Sequence, residues 1–422
     1  VRNKAFKFRI YPDEKQESLI LRTFGCVRFV WNLMLEDAKK SYKKTKKFDY
    51  PTPASYKEEH EFLREIDSMA LCNTQMNLRM AFSRFFKDRK TKKKRKSRFP
   101  WFKSKKSARR SYTTNRINNS VRIEQGKLRL PKLGLLKTVF HRKVEGRIKG
   151  ATVSQDPSGK FFVSILTEQL DLPKPEIDRS KVVGLDFSFH SLFVTSTGAR
   201  PKHYVENFKR VEVKLTREKR WLSRKEFGSH SYEKQKIKVA KVEEKNRNFR
   251  KDFFYKVVKQ ILDRYDVVVI EDIDLVGMAK RGRRRKFGAS IYRLGFGLFR
   301  EILKSKAEER GKLVVVADKW FPSSQLCSVC GYRNKKTKDL SIREWKCPRC
   351  KTLHDRDVNA AQNLVNYYVH KYHSTGALPG IHAEGDLTST SSLSARGKLG
   401  RRIRKSCGTE RSHKPPAKAR GR

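Results

Sequence analysis

Three carboxylates follow apolar runs or open a helix, where side chains can converge on one site. Asp186 ends the run VVGLD, Glu271 ends VVVIE, and Asp357 lies where a helix should begin. Carboxylates that lie close together repel one another unless cations are present. Carboxylate and water oxygens suit Mg²⁺, and two such ions about 4 Å apart support phosphodiester cleavage. These residues therefore predict a nuclease site with two magnesium ions.

Each acid alone also has an ordinary structural explanation: a turn residue, a strand-end residue and a helix N-cap, in chain order. Three neighbours, Asp272, Asp274 and Asp355, compete for the ligand roles. The order of elements is more informative. A strand that ends in an acid is followed by a helix, a second strand that ends in an acid, another helix, a strand, and a last helix that carries the third acid. This order is the layout of an RNase H-like nuclease core.

Four cysteines form two C-x2-C pairs, a spacing typical of a structural zinc site. The four are Cys327, Cys330, Cys347 and Cys350. Four thiolates complete a tetrahedral shell and leave no open position for chemistry, so we expect one Zn²⁺ that supports folding and placement. The cysteine segment would be inserted between the last strand and the last helix, beside Asp357.

The charge of the chain predicts a polyanionic partner. The 422 residues include 100 Lys and Arg against 44 Asp and Glu, a formal net charge of +56. Nucleic acid is the commonest partner for such a surface. No apolar run approaches the ~20 residues that span a bilayer, and no secretory signal is visible, so we expect no membrane partner and a cytoplasmic, nucleoid-associated protein.

A basic segment at residues 87–106 contains Phe99, Trp101 and Phe102. Bare charge runs usually face water, but interleaved aromatic rings offer bases or sugars a stacking surface. We therefore expect this segment and its surroundings to bind nucleic acid. The candidate contact residues are Gln75, Arg98, Trp101, Phe102, Lys103, Lys105, Lys106, Arg109 and Arg110.

The elements that must position these residues are visible as patterns of apolar side chains. Residues 4–10 alternate like a strand, and helical spacing follows Pro12 and recurs over about 55–89. Short strands over 111–168 would suit a small barrel, with a Pro-rich connector at 171–180. We expect HYVENFKR, which begins at His203, to add a third strand after two strands near Asp186. The composition after about His373 predicts disorder.

These motifs resemble the TnpB family, RNA-guided nucleases of transposons that are related to type V CRISPR effectors. The resemblance is carried by GLDFS (184–188), VVVIEDI (267–273), FPSSQLCSVCG (321–331), REWKCPRC (343–350) and HDRDVNAAQNL (354–364). It implies that Asp186, Glu271 and Asp357 form a RuvC catalytic triad that holds Mg²⁺. It also matches Arg343 to an arginine near the nuclease site, where we expect contact with the scissile phosphate.

The resemblance further implies an α/β fold with β-barrel and helical parts. A wedge barrel at 1–10 and 111–172 would be interrupted by a helical recognition domain at 11–110. The RuvC domain would comprise 180–320 and 352–372, with a zinc ribbon at 321–351 and a basic tail at 373–422. The partners would be a guide RNA from the transposon end and double-stranded target DNA, cut next to a short motif. We expect a monomer.

Three other functions are compatible with parts of the sequence. A guide-binding regulator that no longer cuts usually lacks a catalytic acid, whereas all three acids are present here. A transposase would join strands through a DDE triad or a nucleophilic Tyr. A basic RNA-binding protein would explain the charge and the zinc but leave the three acids unexplained.

Overall fold

The computed structural model describes residues 2–91, 97–105, 110–170, 175–201, 204–274, 277, 294–339 and 341–373. Residues 2–373 belong to one compact unit. Its strands form one antiparallel sheet, one mixed sheet and one small hairpin. The expected disorder of the tail lies outside the described residues.

The larger sheet combines the first strand of the chain with strands that follow the first helices. Its strands are β1 (Arg2–Tyr11), β2 (Arg110–Asn115), β3 (Arg122–Glu124), β4 (Lys127–Leu130), β5 (Gly134–Val139), β6 (Arg147–Gln155) and β7 (Phe161–Gln169). Within the described residues they pair in the order β2-β6-β7-β1-β5-β4-β3, and every pair is antiparallel. The alternation of apolar residues in β1 buries Phe6, Phe8 and Ile10, so the sheet has one face in the core.

Helices α1 (Glu14–Thr45), α2 (Tyr56–Glu59) and α3 (Ser68–Lys90) pack beside this sheet. Asp13 caps α1 by accepting a hydrogen bond from the Gln16 amide, and the Gln16 side chain returns the contact. The helical stretch expected over 55–89 is divided into separate helices, because a 3₁₀ turn follows α2 and the Asp67 carboxylate starts α3 by capping the Met69 amide.

Helix α1 is, among the described helices, the one whose length and composition would let it cross a membrane. Its most apolar stretch has a mean hydropathy of 1.3, and half of that stretch is buried. By this criterion the expectation that no apolar run approaches spanning length does not hold for α1. A buried core helix passes the same test, and Ile20, Phe24 and Val30 of α1 lie in the core.

The mixed sheet carries the predicted acids. Its strands are β8 (Val182–Ser188), β9 (Leu192–Thr195), β10 (Val267–Glu271) and β11 (Leu313–Ala317), in the order β11-β10-β8-β9. Strands β8, β10 and β11 are parallel, and β9 is antiparallel to β8. Helices α4 (Tyr204–Ser223), α5 (His230–Arg264) and α6 (Phe296–Glu309) follow the strands, and α7 (Arg356–Tyr368) ends in a π-helical turn at Val369–His373.

The expected third strand after β9 is wrong. Residues from Tyr204 onward form α4, and Tyr204 and Phe208 lie one helical turn apart. The Tyr204 ring stacks on Phe253, and its hydroxyl donates to the Leu294 carbonyl. Contacts with residues distant in the chain therefore stabilise a helix in a segment whose local sequence resembles a strand.

The two faces of the mixed sheet pack on different helices. Val268 and Ile270 belong to a core with residues of α5 and α6. Val267 and Val269 belong to a core with Leu364 and Tyr368 of α7. Because side chains alternate along a strand, residues of the same parity as Val267 face α7.

Candidate nuclease site

Asp186 and Glu271 lie on neighbouring parallel strands, at the same edge of the mixed sheet. Ile270 of β10 pairs with Leu185 of β8, so the next residue on each strand is one of the two acids. Glu271 has the parity of Val269, whose side chain packs on the α7 side. Both acids therefore lie on the α7 face, Glu271 as the last residue of β10 and Asp186 two residues before the end of β8.

Helix α7 brings the third acid to the same edge. Gly184 of β8 is in such close contact with α7 that an added Cβ would lie 1.9 Å from the Ala361 carbonyl oxygen. Asp357 lies in the first turn of α7. The N-cap of α7 is Asp355, which accepts hydrogen bonds from the amides of Asp357 and Val358 at 3.0 Å. The alternative role of Asp357 as a helix cap is therefore wrong.

The electrostatics of this edge reflect the crowding of acids. Burial raises the pKa of Asp186 well above its ordinary value, and the negative charges of Glu271 and Asp357 raise it further. Burial also raises the pKa of Glu271, while a hydrogen bond from the Ser323 hydroxyl opposes the shift. Such mutual repulsion is relieved by a bound cation, which makes this edge chemically suited to a divalent metal ion.

Arg343 lies beside one of these acids, Asp357. Its Nη1 is 3.6 Å from Oδ1 of Asp357, and its side chain is 55% exposed. A cation at the rim of an acidic site, still open to solvent, can reach a phosphate group.

The rival acids make other contacts. The Asp272 carboxylate faces Arg300 at 3.5 Å, and Asp274 accepts a hydrogen bond from the Gly277 amide. Asp355, besides capping α7, pairs with Arg200 at 2.9 Å.

The four predicted cysteines form one cluster. Their sulfur atoms all lie within 4.8 Å of one another. The Cys327–Cys350 and Cys330–Cys347 sulfur distances are 3.5 and 3.6 Å. Four sulfurs at Zn–S bonds of about 2.3 Å in a tetrahedron are about 3.8 Å apart, so the cluster fits Zn²⁺.

A histidine that the sequence analysis missed lies against this cluster. His354 is buried, its ring packs 4.8 Å from Trp345, and its Nε2 lies 3.1 Å from the Cys327 sulfur. An N–H at that position would donate to the thiolate and hold it in place. The strands that carry these two rings, β12 (Glu344–Lys346) and β13 (Leu353–Asp355), pair as a hairpin.

Three asparagines on one face of α7 hold the segment that leads into the cluster. Asn359 and Asn363 both donate to the Leu326 carbonyl, and Asn366 donates to the Ser328 carbonyl. Asn359 also accepts from the Ser328 amide. The sequence analysis missed this role, although the helical spacing of the three asparagines was visible. The cysteine cluster is thus attached to the helix that carries Asp357.

Residues 101–103 of the basic segment lie against α1. The Trp31 indole donates to the Trp101 carbonyl, and Asn32 exchanges hydrogen bonds with the backbone of Lys103. Trp101 is 65% exposed, and Phe102 is also exposed with Lys39 over its ring. Phe99, by contrast, is partly buried and packs against Phe82 at the border of the core.

The other candidate contact residues are placed individually. Arg98, Lys105 and Arg110 are exposed, and Gln75 is half-buried on α3. The Lys103 ammonium lies 3.6 Å from the centroid of the Trp31 ring. Lys106 and Arg109 lie outside the described residues.

Three family models match the chain. "Cas12f1-like, TNB domain" matches residues 296–364, "Helix-turn-helix domain" matches 2–47, and "Probable transposase" matches 163–282. In this structure the residues 2–47 form a strand and a single long helix rather than two helices.

Relatives match most of the chain. A protein of Streptomyces pristinaespiralis, named "Putative RNA-guided DNA endonuclease", is 34% identical over 377 residues, which cover 86% of this chain and 88% of the relative. The "Putative RNA-guided DNA endonuclease InsQ" of Escherichia coli strain K12 is 31% identical over 385 residues, which cover 86% and 92%.

Among solved structures, a Cas12f1–sgRNA–target DNA complex aligns with a TM-score of 0.46 at 14% identity, over 86% of this chain and 99% of that chain. The sequence relatives, together with the family models along the chain, establish the family. The chain belongs to the TnpB family of RNA-guided DNA endonucleases.

Proposed function

We propose that this chain cleaves double-stranded DNA next to a short motif, by Mg²⁺-dependent phosphodiester hydrolysis at a RuvC-type site. The observation that supports this most directly is the convergence of Asp186, Glu271 and Asp357 at one edge of the mixed sheet. A single acid at a strand end has ordinary explanations, whereas three mutually repelling acids need a reason to be retained.

The carboxylates of these three residues would hold two Mg²⁺ ions. When bound, Mg²⁺ would activate water and stabilise the leaving oxygen. The Ser323 hydroxyl holds Glu271, and the contact of α7 with Gly184 sets the position of Asp357. Arg343, beside Asp357 and open to solvent, would contact the scissile phosphate.

The cysteine cluster would hold one structural Zn²⁺. Because ligand thiolates seldom assemble in an unfolded chain, the free energy of zinc binding is folding free energy. The asparagines of α7 would then attach the rigid cluster to the helix that carries Asp357 and so restrict the movement of that helix.

A guide RNA would supply target recognition, and the protein would contact backbones and the short adjacent motif. The +56 charge suits a long RNA together with a heteroduplex. We assign the wedge barrel to 1–10 and 111–172, the recognition domain to 11–110, the RuvC domain to 180–320 and 352–372, and the zinc ribbon to 321–351. The protein would act as a monomer in the cytoplasm, at the nucleoid.

The test begins with the RNA that co-purifies with the protein, which is sequenced and used to design matching target DNA. We expect cut DNA with free ends when Mg²⁺ is added to the protein–RNA complex, and intact DNA without Mg²⁺. Bound but intact DNA in Mg²⁺ would instead identify a regulator that no longer cuts. Joined products would identify a transposase, the activity that one family model names.

A further inference from the structure

Trp320 is the most exposed large hydrophobic side chain among the described residues. It is 86% exposed and lies in a turn at residues 318–323, named here the Trp320 turn. Within the described part of the chain its one recorded ring contact is with Lys319, whose Nζ lies 5.3 Å from the ring centroid. A single exposed apolar side chain is common on protein surfaces, so the interest of Trp320 lies in its position.

The Trp320 turn lies next to the acidic site. It begins directly after Ala317, which is the register partner of Glu271 on β11. It ends at Ser323, whose hydroxyl donates to the Glu271 carboxylate. The turn therefore begins beside the strand that carries Glu271 and ends at a contact with the Glu271 side chain. Trp320 lies between these two points in the chain.

The turn is fixed on both sides of Trp320. Asp318 pairs with Lys371 at 3.2 Å and accepts a hydrogen bond from the Tyr367 hydroxyl. The Phe321 ring packs 4.9 Å from that of Tyr367. The Phe321 amide also donates to the Asp318 carbonyl at 2.9 Å. A rigid base with one projecting indole is a preorganised contact, because little conformational entropy remains to be lost on binding.

We propose that Trp320 stacks on an unpaired DNA base close to the scissile phosphate and positions the strand at the acids. This inference rests on the proposed nuclease function. Base–aromatic stacking is tolerant of sequence and contributes about 1–3 kcal/mol per base. A base inside a duplex already has neighbours on both faces, so Trp320 would favour a strand whose bases are unstacked. Lys319 would add an electrostatic contact with the adjacent phosphate.

A binding measurement tests Trp320 without requiring cleavage. The probe is single-stranded DNA with the fluorescent base 2-aminopurine placed at successive positions, added to the protein–RNA complex without Mg²⁺. Stacking on an indole quenches this fluorophore. We expect quenching at one or two adjacent positions for the wild type and for Trp320→Phe, and its loss in Trp320→Ala. Trp221, which is 51% exposed on α4, supplies the matched control Trp221→Ala, for which we expect wild-type quenching.

A cleavage measurement tests the positioning role. We expect Trp320→Ala to cut about fivefold more slowly or worse, the factor that corresponds to the lower end of stacking energies. Removing the base at the quenched position should slow the wild type by a similar factor. The same abasic DNA should slow Trp320→Ala no further, because the lost contact is the same one. A purely structural role for Trp320 would not produce this dependence on one base.

Several results would overturn the inference. They are unchanged quenching and cutting in Trp320→Ala, loss of affinity for the guide RNA rather than for DNA, or a change in oligomeric state. An additive effect of the abasic site would also contradict it. Failure of the nuclease proposal has a different signature, since the wild type would then not cut in Mg²⁺ although quenching still depended on Trp320.

Discussion

The residue with the most perturbed environment in the proposed site is Asp186. Burial and the charges of Glu271 and Asp357 raise its pKa, so the ionised carboxylate is unfavourable in the metal-free protein. Function and stability therefore make opposite demands at this position. The charge that repels its neighbours without metal is the charge that would bind a metal ion.

Asp186→Asn should separate these two demands. The amide keeps the shape of the side chain but removes the charge, so we expect cutting in Mg²⁺ to fall at least about a hundredfold, since metal stabilisation is worth several kcal/mol. Without added Mg²⁺ the variant should melt at a higher temperature than the wild type, because one of the repelling charges is gone. Cleavage assays and thermal melting measure the two effects.

Asp272→Asn is the matched control for this prediction. Asp272 is the next acid after Glu271, but it faces Arg300 rather than the other acids. We expect near-normal cutting and RNA binding. Full activity in Asp186→Asn, or an equal loss in both variants, would refute the assignment of the acids.

At the scale of elements, α7 has three tasks. It packs on β8 and β10, carries Asp357 in its first turn, and holds the entry to the cysteine cluster through its asparagines. Any displacement of α7 would move one acid relative to the other two and would move the cluster as well. One contact that limits such displacement is the close approach of Gly184 to the backbone of Ala361.

Gly184→Ala should disrupt this packing. The new methyl group would lie 1.9 Å from a backbone carbonyl oxygen, which cannot rotate away as a flexible side chain could. We expect a destabilisation of about 1–3 kcal/mol or more, measured by thermal melting, and a loss of cutting because Asp357 is displaced. Gly25→Ala in α1 is the control, since its Cβ meets nothing within 4 Å. There we expect a gain of about 0.5–1 kcal/mol. Equal stability of the two variants would contradict this view of α7.

Cys347→Ser should impair the cysteine cluster. Cys347 is buried and its sulfur lies 3.6 Å from that of Cys330. We expect the zinc content to fall from one ion per chain, together with the folded yield, because three thiolates leave the site incomplete. Cys72→Ser on α3 lies outside the cluster and should keep both. A wild-type zinc content in Cys347→Ser, determined by elemental analysis, would rule out this ligand set.

The sequence was sufficient for the features that are local or periodic. Asp186 and Glu271 were recognisable because buried strands are continuous apolar runs, and the cysteines because their spacing is short. The helical beginning of α4 at Tyr204 was not predictable, since the partners of Tyr204, Phe253 and Leu294, are distant in the chain. The contact of Ser323 with Glu271 likewise depends on a turn whose shape no local pattern specifies.

At the scale of the molecule, ion pairs connect the larger sheet to the helices that surround the mixed sheet. Lys4 of β1 pairs with Glu309 of α6 at 2.7 Å, and Arg247 of α5 pairs with Asp156 after β6 at 2.8 Å. Although burial opposes ionisation of Glu309, its contacts with Lys306 and Lys4 hold its pKa at about 2. The contribution of this carboxylate to stability is therefore complete above its unfolded pKa and is lost as the pH falls toward 2.

Lys and Arg far outnumber Asp and Glu, so most positive charges have no acidic partner in the chain's composition. RNA binding should therefore depend steeply on salt concentration. A protein that contacts six to ten phosphates loses about 10³-fold or more in affinity between 50 and 200 mM salt, because counterions are released on binding. Lys105→Gln should reduce the slope of log affinity against log salt by about one, since an exposed lysine contributes charge alone.

Trp101→Ala should lower the affinity for RNA at every salt concentration and leave this slope unchanged, because stacking releases no counterions. Filter binding over a salt series measures both quantities. Lys256→Gln is the control, since Lys256 pairs with Asp252 at 2.8 Å and lies on α5, outside the basic segment at 87–106. Two results would contradict separate roles for Lys105 in phosphate contact and Trp101 in base stacking. They are a changed slope in Trp101→Ala and equal behaviour of Lys105→Gln and Lys256→Gln. The basic surface would then attract RNA through its total positive charge alone, and the exposed ring of Trp101 would need a different explanation.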